Sequence, residues 1–318
     1  MTSPLPFEDS IQYLAKQFQQ TPNSIARLIL GRGGLFAGFE SVNVDRIGDD
    51  LLLMLYKAPD SGWLDDFLTI WEQCRPATAG RVLLQHRYDR DKAVTDTTGE
   101  PLHEIREVEE DGLRYEVELG RTQNYGFFPD MRQGRRWLRA RAEGARVMNL
   151  FAYTCSFGVA ALAGGARYVI NVDMSRGVLN RGERNHGLNG QDLAQVVTQK
   201  LDIMSGWARL KKLAPADIIV VDPPSNQGKS FNADAHYKRL AKQVAKLCEP
   251  GAQVLFCLNK PFVRTDEFRA WVERCGWWDY VERLENPPGV VDREAEKGLK
   301  VLVYQRRQEQ LPMPDDRD

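Results

Sequence analysis

Three aspartates in this chain close apolar runs: Asp173 ends "ARYVINVD", Asp202 ends "AQVVTQKLD" and Asp222 ends "ADIIVVD". An acid at the end of a buried strand can accept hydrogen bonds from ribose hydroxyls, and the apolar residue after it, here Met174, can cover an adenine face. A further acid, Asp202, can accept from an adenine amino group. Taken singly, Asp173 is often just a helix cap and Asp202 is at least as readily one. Together with the end of the strand before them, they make three strand ends in an order that favours a nucleoside site. The run before them, "VMNLFAYTCSFG", ends in small and hydroxyl residues ahead of a helix, where backbone N–H groups can face a ligand. It is not a GxGxxG loop, because Cys155 and Ser156 stand where glycines would be needed, and this weakens a dinucleotide-binding reading.

Asp222 is followed by Pro223 and Pro224, two stiff residues able to aim carbonyls and the carboxylate into a pocket, and then by Gly228-Lys229-Ser230. A phosphate loop, G-x-x-x-x-G-K-[ST], would need glycine at position 223. Pro223 can neither take the positive φ nor offer an N–H to a phosphate, so a nucleotide-hydrolase reading fails on its spacing. Lys229 remains a candidate contact to a phosphodiester, with a solvated loop lysine as the alternative.

Elements must hold these residues in place. From about residue 145 the chain alternates strand and helix, from "ARVMNLFAY" and "SFGVAALAGG" to "ADIIVVD". There follow a helix over about 233–248, the strand "AQVLFCL", a helix over about 264–275 and two last strands, "GLKVLVYQRR" the clearer. Such alternation predicts an α/β fold, a mainly parallel sheet with helices on both faces and ligands beyond the carboxyl ends of its strands. Upstream, the pattern predicts a small α+β domain, strand-strand-helix-strand-strand, with a hairpin at Asp111-Gly112. Residues 7–31 read as one or two amphipathic helices, the second opening on Thr21 and Pro22 and closing at Gly31. The expected layout is N-terminal helices over 1–34, the α+β domain over 35–120, the α/β domain over 121–306 and a flexible tail over 307–318.

With 42% hydrophobic and 27% charged residues over 318 positions, the chain can bury a sizeable core. A formal net charge of −1 excludes the overall basicity of a nucleic-acid coat but leaves room for a local basic face. "MRQGRRWLRARAEGAR" carries Arg132, Arg135, Arg136, Arg139, Arg141 and Arg146, which form either a phosphate-tracking ridge or a solvated helix face. Five cysteines without CxxC spacing suggest neither a disulfide framework nor a zinc site. The first residues carry no basic region ahead of an apolar stretch, and no apolar run is long enough to span a bilayer, so a cytoplasmic location is expected.

The order of "MNLFAYTCSFGVAALAGGA", "VINVDMS", "LDI" and "IIVVDPPS" resembles the class I S-adenosylmethionine-dependent methyltransferases. It looks particularly like the bacterial 23S ribosomal RNA methyltransferase group that includes the 5-methylcytosine and guanine-N7 enzymes. "EEDGLRYEVELGRTQNYGFFPDMRQGRRWL" resembles the segment that this group places before its cofactor loop. The resemblance implies a Rossmann-like domain with a mostly parallel seven-stranded sheet, S-adenosyl-L-methionine as cofactor, and large-subunit ribosomal RNA as partner. It implies that Asn149, Phe151, Tyr153, Thr154, Ser156 and Phe157 border the methionine end of the cofactor. Asp173 goes to the ribose, Met174 to the adenine face, Asp202 to the adenine amino group, and Asp222 with Pro223 to the catalytic mouth. Phe128, Asp130 and Arg132 would lie against the cofactor or the incoming nucleotide, and Arg135, Arg136, Arg139 and Lys229 against RNA. One departure is Cys155, where the group usually has glycine.

The target atom can be argued from three chemistries. Transfer to cytosine C5 requires a thiolate that adds at C6. Related 5-methylcytosine enzymes carry that cysteine just beyond the strand after the catalytic loop, where this chain has Asn259; Cys257 lies two residues earlier, on the same face of a strand. Exocyclic amines are commonly methylated by a motif with an aromatic after the two prolines, where this chain has Ser225, with Phe231 as a distant substitute. Trp277, Trp278 and Tyr280 either stack a flipped base or fill core. Guanine N7 is already nucleophilic and needs only positioning. "LFCLNKPF" resembles the asparagine-lysine motif of the guanine-N7 members, with Asn259 on the guanine edge, Lys260 on a phosphate and Asp222 accepting from the ring N1–H and amino group. The expectation is therefore transfer to a base nitrogen, guanine N7 first. The alternatives are a cytosine-C5 enzyme using Cys257, and a cofactor-binding RNA or ribosome assembly factor with weak or no catalysis.

Overall fold

The computed structural model describes residues 3–89, 91–120, 123–227 and 231–311. The chain forms two compact units, Met1–Arg132 with Asn286–Gly298, and Gln133–Glu285 with Leu299–Asp318.

In the first unit, helix α1 (Phe7–Gln20) precedes strands β1 (Ile25–Leu30), β2 (Val42–Ile47) and β3 (Asp50–Leu55), helix α2 (Trp63–Cys74), strands β4 (Val82–His86) and β5 (Thr95–Asp96), and the hairpin of β6 (Glu104–Glu110) and β7 (Leu113–Leu119). Strands β1 to β5 form one sheet in sequence order. Its pairs are antiparallel except β3 with β4, which run parallel because α2 carries the crossover between them. Ile11, Leu14 and Phe18, at helical spacing on α1, meet the alternating Leu51, Leu53 and Leu55 of β3 in a core closed by Phe67 and Trp71 of α2.

The second N-terminal helix expected up to Gly31 is instead β1. Ile25, Leu28 and Ile29 are all buried, a spacing of i, i+3 and i+4 that imitates a helix. Its cause is a register shift against β2 between Arg27 and Ile29, which turns two neighbouring residues inward.

The second unit follows α3 (Arg132–Arg139) with β8 (Arg146–Leu150), α4 (Ser156–Ala163), β9 (Tyr168–Asp173), α5 (Arg176–Leu188), β10 (Val196–Lys200), α6 (Trp207–Leu213) and β11 (Ala216–Val221). The short pair β12 (Asn226–Gln227) and β13 (Phe231–Asn232) then leads to α7 (Ala233–Val244), β14 (Cys248–Leu258), α8 (Thr265–Glu273), β15 (Trp278–Arg283) and β16 (Lys300–Arg306). The seven-stranded sheet has the order β10-β9-β8-β11-β14-β16-β15. Only β16 runs against the other strands. Strands covered on both faces read as continuous apolar runs, and Val147, Met148, Leu150 and Ile218 to Val221 are all buried accordingly. The short helix α6 was not anticipated: it buries only Trp207 and Leu210, too few positions to show a period. Among the described residues no helix is long and apolar enough to cross a membrane.

Candidate active site

The strand order reverses between β8 and β11, so their carboxyl ends mark the switch point at which open α/β sheets bind ligands. The loop after β8 is unusual in its backbone. Phe151, Tyr153 and Cys155 take left-handed φ values of 59°, 48° and 61° without being glycine. Their neighbours hold them there: Tyr153 N donates to Asp173 Oδ2 at 3.0 Å, Ala152 N to Val172 O at 2.9 Å, and Asn185 Nδ2 on α5 to Thr154 O at 2.9 Å. Cys155, where the resemblance leads one to expect glycine, takes a positive φ at a cost in backbone strain, and its side chain fills space that Gly182 vacates. A Cβ on Gly182 would stand 2.2 Å from the Cys155 sulfur. Burial, with the nearby carboxylates of Asp173 and Glu183, pushes the Cys155 thiol well above its ordinary range, so it packs as a neutral, unreactive group.

Beneath this loop runs a chain of buried amides. Asn149 Nδ2 donates to Asn171 Oδ1 at 2.9 Å, Asn171 Nδ2 meets His186 Nε2 at 3.2 Å, His186 Nδ1 meets Gln191 Oε1 at 2.6 Å, and Gln191 Nε2 donates to Val159 O of α4 at 2.8 Å. Because Gln191 uses its amino group on a carbonyl, its oxygen faces His186, which must carry its proton on Nδ1 and accept on Nε2. Burial lowers the pKa of His186 and favours this neutral form. The chain passes so close under α4 that a Cβ on Gly158 would lie 2.5 Å from Asn171 Oδ1.

Asp173 sits half-buried at the end of β9, accepting from Tyr153 N and, at 2.9 Å, from Ser175 N. Each carboxylate oxygen retains a lone pair, enough for ribose hydroxyls. Met174 beside it is 41% exposed, and Asp202 beyond β10 is half-buried, accepting from Met204 N at 3.0 Å. This donor and acceptor set fits the nucleoside of S-adenosylmethionine. Of the loop residues, Phe151, Tyr153 and Ser156 are half-buried, whereas Asn149, Thr154 and Phe157 are buried, so they shape the loop from beneath.

The catalytic mouth expected at Asp222 and Pro223 lies at the ends of β11 and β14, where Val221 pairs with Phe256. The two following loops are joined by Ser225 Oγ, which donates to Asn259 O at 2.5 Å. Lys260 forms an ion pair with Asp234 at the start of α7, so its charge is already countered. Cys257 is fully buried, and its carbonyl accepts from the buried Tyr237 hydroxyl at 2.8 Å. Phe231, the possible stacking substitute, is also fully buried. Trp278 is buried in the same core, while Trp277 and Tyr280 pack against it under the guanidinium groups of Arg306 and Arg269. Lys229 lies outside the described residues.

Phe128, Asp130 and Arg132 fall in the first unit. Phe128 is 40% exposed. Arg132 is held by Asp111 of the β6–β7 turn in a two-pronged pair at 2.6 and 3.1 Å. Asp130 adds its charge to a buried cluster in which Arg27 and the Tyr125 hydroxyl, at 2.6 Å, both bind the fully buried Asp45. Burial alone would pull the Arg27 guanidinium down, but Asp45 outweighs it and holds the charge. Of the three α3 arginines expected on RNA, Arg136 is exposed, Arg139 half-buried and Arg135 buried at 3% exposure, so Arg135 does not present a surface for phosphate. Asn171, His186 and Gln191 were not legible in the sequence, because no motif joins residues on a strand, a helix and a loop, and the pairing of Asn149 with Asn171 exists only in the folded sheet.

Comparison with known proteins agrees with this geometry. The family described as S-adenosylmethionine-dependent methyltransferase matches residues 26–305. Ribosomal RNA large subunit methyltransferase I of Erwinia tasmaniensis is 27% identical over 251 residues, which are 76% of this chain and 63% of that protein. The chain thus spans somewhat under two thirds of the curated relatives it matches. Two solved structures share the fold at 24% identity and a TM-score of 0.83: a methyltransferase complexed with SAH, covering 94% of this chain and 80% of its own, and a SAM-dependent methyltransferase from Streptococcus mutans, covering 96% and 83%. The guanine-N7 likeness gains no support from these matches. A left-handed loop at the switch point, strand-end acids suited to a nucleoside, and a match over nearly the whole length agree: the chain belongs to the S-adenosylmethionine-dependent methyltransferase family.

Proposed function

We propose that this protein methylates a nucleobase of RNA, in large-subunit ribosomal RNA. The observation that carries the reading is the joining of the loops that follow β11 and β14, Asp222 to Ser225 and Asn259 to Lys260, through Ser225 and Asn259. When bound, S-adenosylmethionine supplies an electrophilic methyl group. Asp173, Met174 and Asp202 would hold its nucleoside, the loop from Phe151 to Ser156 its methionine end, and Asp222 would orient the incoming base through its carboxylate. The curated relatives supply the RNA class, and exposed Arg136 on α3 offers a phosphate contact.

For the target atom, the relatives favour cytosine C5 over guanine N7. As a thiolate, Cys257 would add through its sulfur to C6, making C5 nucleophilic enough to take the methyl group. Loss of the C5 proton to a base would then expel the thiolate and restore the C5–C6 double bond. The complete burial of Cys257 means that the end of β14 must open for this to occur. That burial, with Asn259 rather than cysteine in the loop, favours the second reading, a base nitrogen that needs positioning alone. Labelled methyl transfer to 23S ribosomal RNA from cells lacking the gene tests both. Asp222→Ala is expected to abolish transfer, and failure of the wild-type protein to label RNA would defeat the proposal. Loss of activity in Cys257→Ala, with a covalent complex on 5-fluorocytidine RNA, selects C5; full activity in that variant selects the nitrogen.

A further inference from the structure

The loop after β14 is pinned on several sides. Lys260 O accepts from Val263 N at 3.3 Å, closing a turn over Lys260-Pro261-Phe262-Val263, and accepts again from Lys300 Nζ at 3.2 Å. Lys300 is fully buried on β16, a costly position for an ammonium unless it is well hydrogen-bonded. Pro261 fixes φ at the second position of the turn. The Lys260 side chain pairs with Asp234, Asn259 O is held by Ser225, and Val263 is buried. Between these anchors Phe262 is 88% exposed, the most exposed large apolar side chain among the described residues. A slack loop would fold such a ring back onto the protein, but here the flanks hold it in water. It lies three residues past Asn259, on the loop tied to that of Asp222. Phe231 and Trp278 are buried, and the rings of Trp277 and Tyr280 are covered by Arg306 and Arg269.

We propose that Phe262 is the platform on which an unpaired RNA base stacks at the mouth of the site. The assignment rests on the RNA reading above. Aromatic faces bind single-stranded bases by stacking, and a ring held in place beforehand loses little freedom when it does so. The turn presents the ring and the buried lysine fixes the turn, so Phe262 governs substrate binding and leaves the cofactor untouched.

The test compares Phe262→Ala, Phe262→Leu and Phe262→Trp in the full chain, using 23S ribosomal RNA from cells lacking the gene and a fluorescent single-stranded RNA oligonucleotide. Phe262→Ala is expected to raise KM for the RNA and Kd for the oligonucleotide about tenfold or more. The affinity for SAH and the Tm should stay as in the wild type, because the ring is 88% exposed and contributes little to packing. Phe262→Leu should behave like the alanine variant and Phe262→Trp should restore binding. An unchanged KM and Kd in Phe262→Ala, with the wild type active on RNA, overturns this assignment alone. Wild-type affinity in Phe262→Leu also overturns it, since apolar contact rather than stacking would be at work. A wild type that neither binds nor methylates RNA overturns this assignment together with the function proposed above.

Discussion

Each unit buries a polar cluster, and the two are built on different physics. In the first unit Asp45, fully buried, is bound by the guanidinium of Arg27 and the hydroxyl of Tyr125. In the second, Asn149, Asn171, His186 and Gln191 form a chain of neutral groups. A charged cluster is stable only while complete, because removing one ion leaves the other stranded in a poor solvent. A neutral chain loses one hydrogen bond at a time, yet it carries a direction: each amide and the imidazole must donate one way and accept the other. The first arrangement suits a fixed support, and the second ties β8, β9, α5 and α4 together beneath the loop that follows β8.

Substitutions should separate the two. The largest effect is expected from Asp45→Ala, which strands Arg27 and should lower stability by about 3 kcal/mol or more in urea unfolding. Asn171→Leu breaks the neutral chain at two bonds and should cost about 1–3 kcal/mol. It should also weaken binding of SAH in calorimetry, whereas Asp45→Ala at a temperature where it remains folded should not. Tyr125→Phe removes one of the bonds to Asp45 and should cost about 1 kcal/mol, leaving the ion pair in place. The smallest effect is a pH slope. His186 has a lowered pKa in the folded protein, so its contribution is complete above the unfolded value of about 6.5 and is lost as pH falls from there through the lower folded value. The loss cannot exceed about 1.4 kcal/mol per pH unit. His186→Gln should flatten that part of the profile, while Arg27, held charged by Asp45, adds no slope there. An equal slope in wild type and His186→Gln would remove His186 from this account.

Where the chain repeats a simple period, its sequence was legible. The alternation from residue 145 onward predicted a mainly parallel sheet, and the strand-end acids at 173, 202 and 222 stand at the ends of β9, β10 and β11 in that order. Legibility failed where pairing created the pattern. Ile25, Leu28 and Ile29 look helical because of a bulge that exists only once β2 is present. It failed too for side chains whose partners are distant in sequence. Arg132 could not be assigned to Asp111, or Lys260 to Asp234, because surface-like spacing says nothing of which opposite charge will arrive. Asn259 and Lys260 read as a guanine-N7 motif, whereas Lys260 is engaged by Asp234 and that likeness gains no support from the relatives.

The segment Asn286–Gly298 lies between β15 and β16 in sequence but belongs to the first unit, where Arg293 N donates to Gly33 O at 2.8 Å. The first unit is therefore encoded in two stretches of the chain, with most of the second unit between them. On a ribosome it stays unfinished until residue 298 has emerged, by which time nearly all of the second unit has been made. No single cut frees either unit intact, and any attempt to express the first alone must supply the missing strip as a second piece.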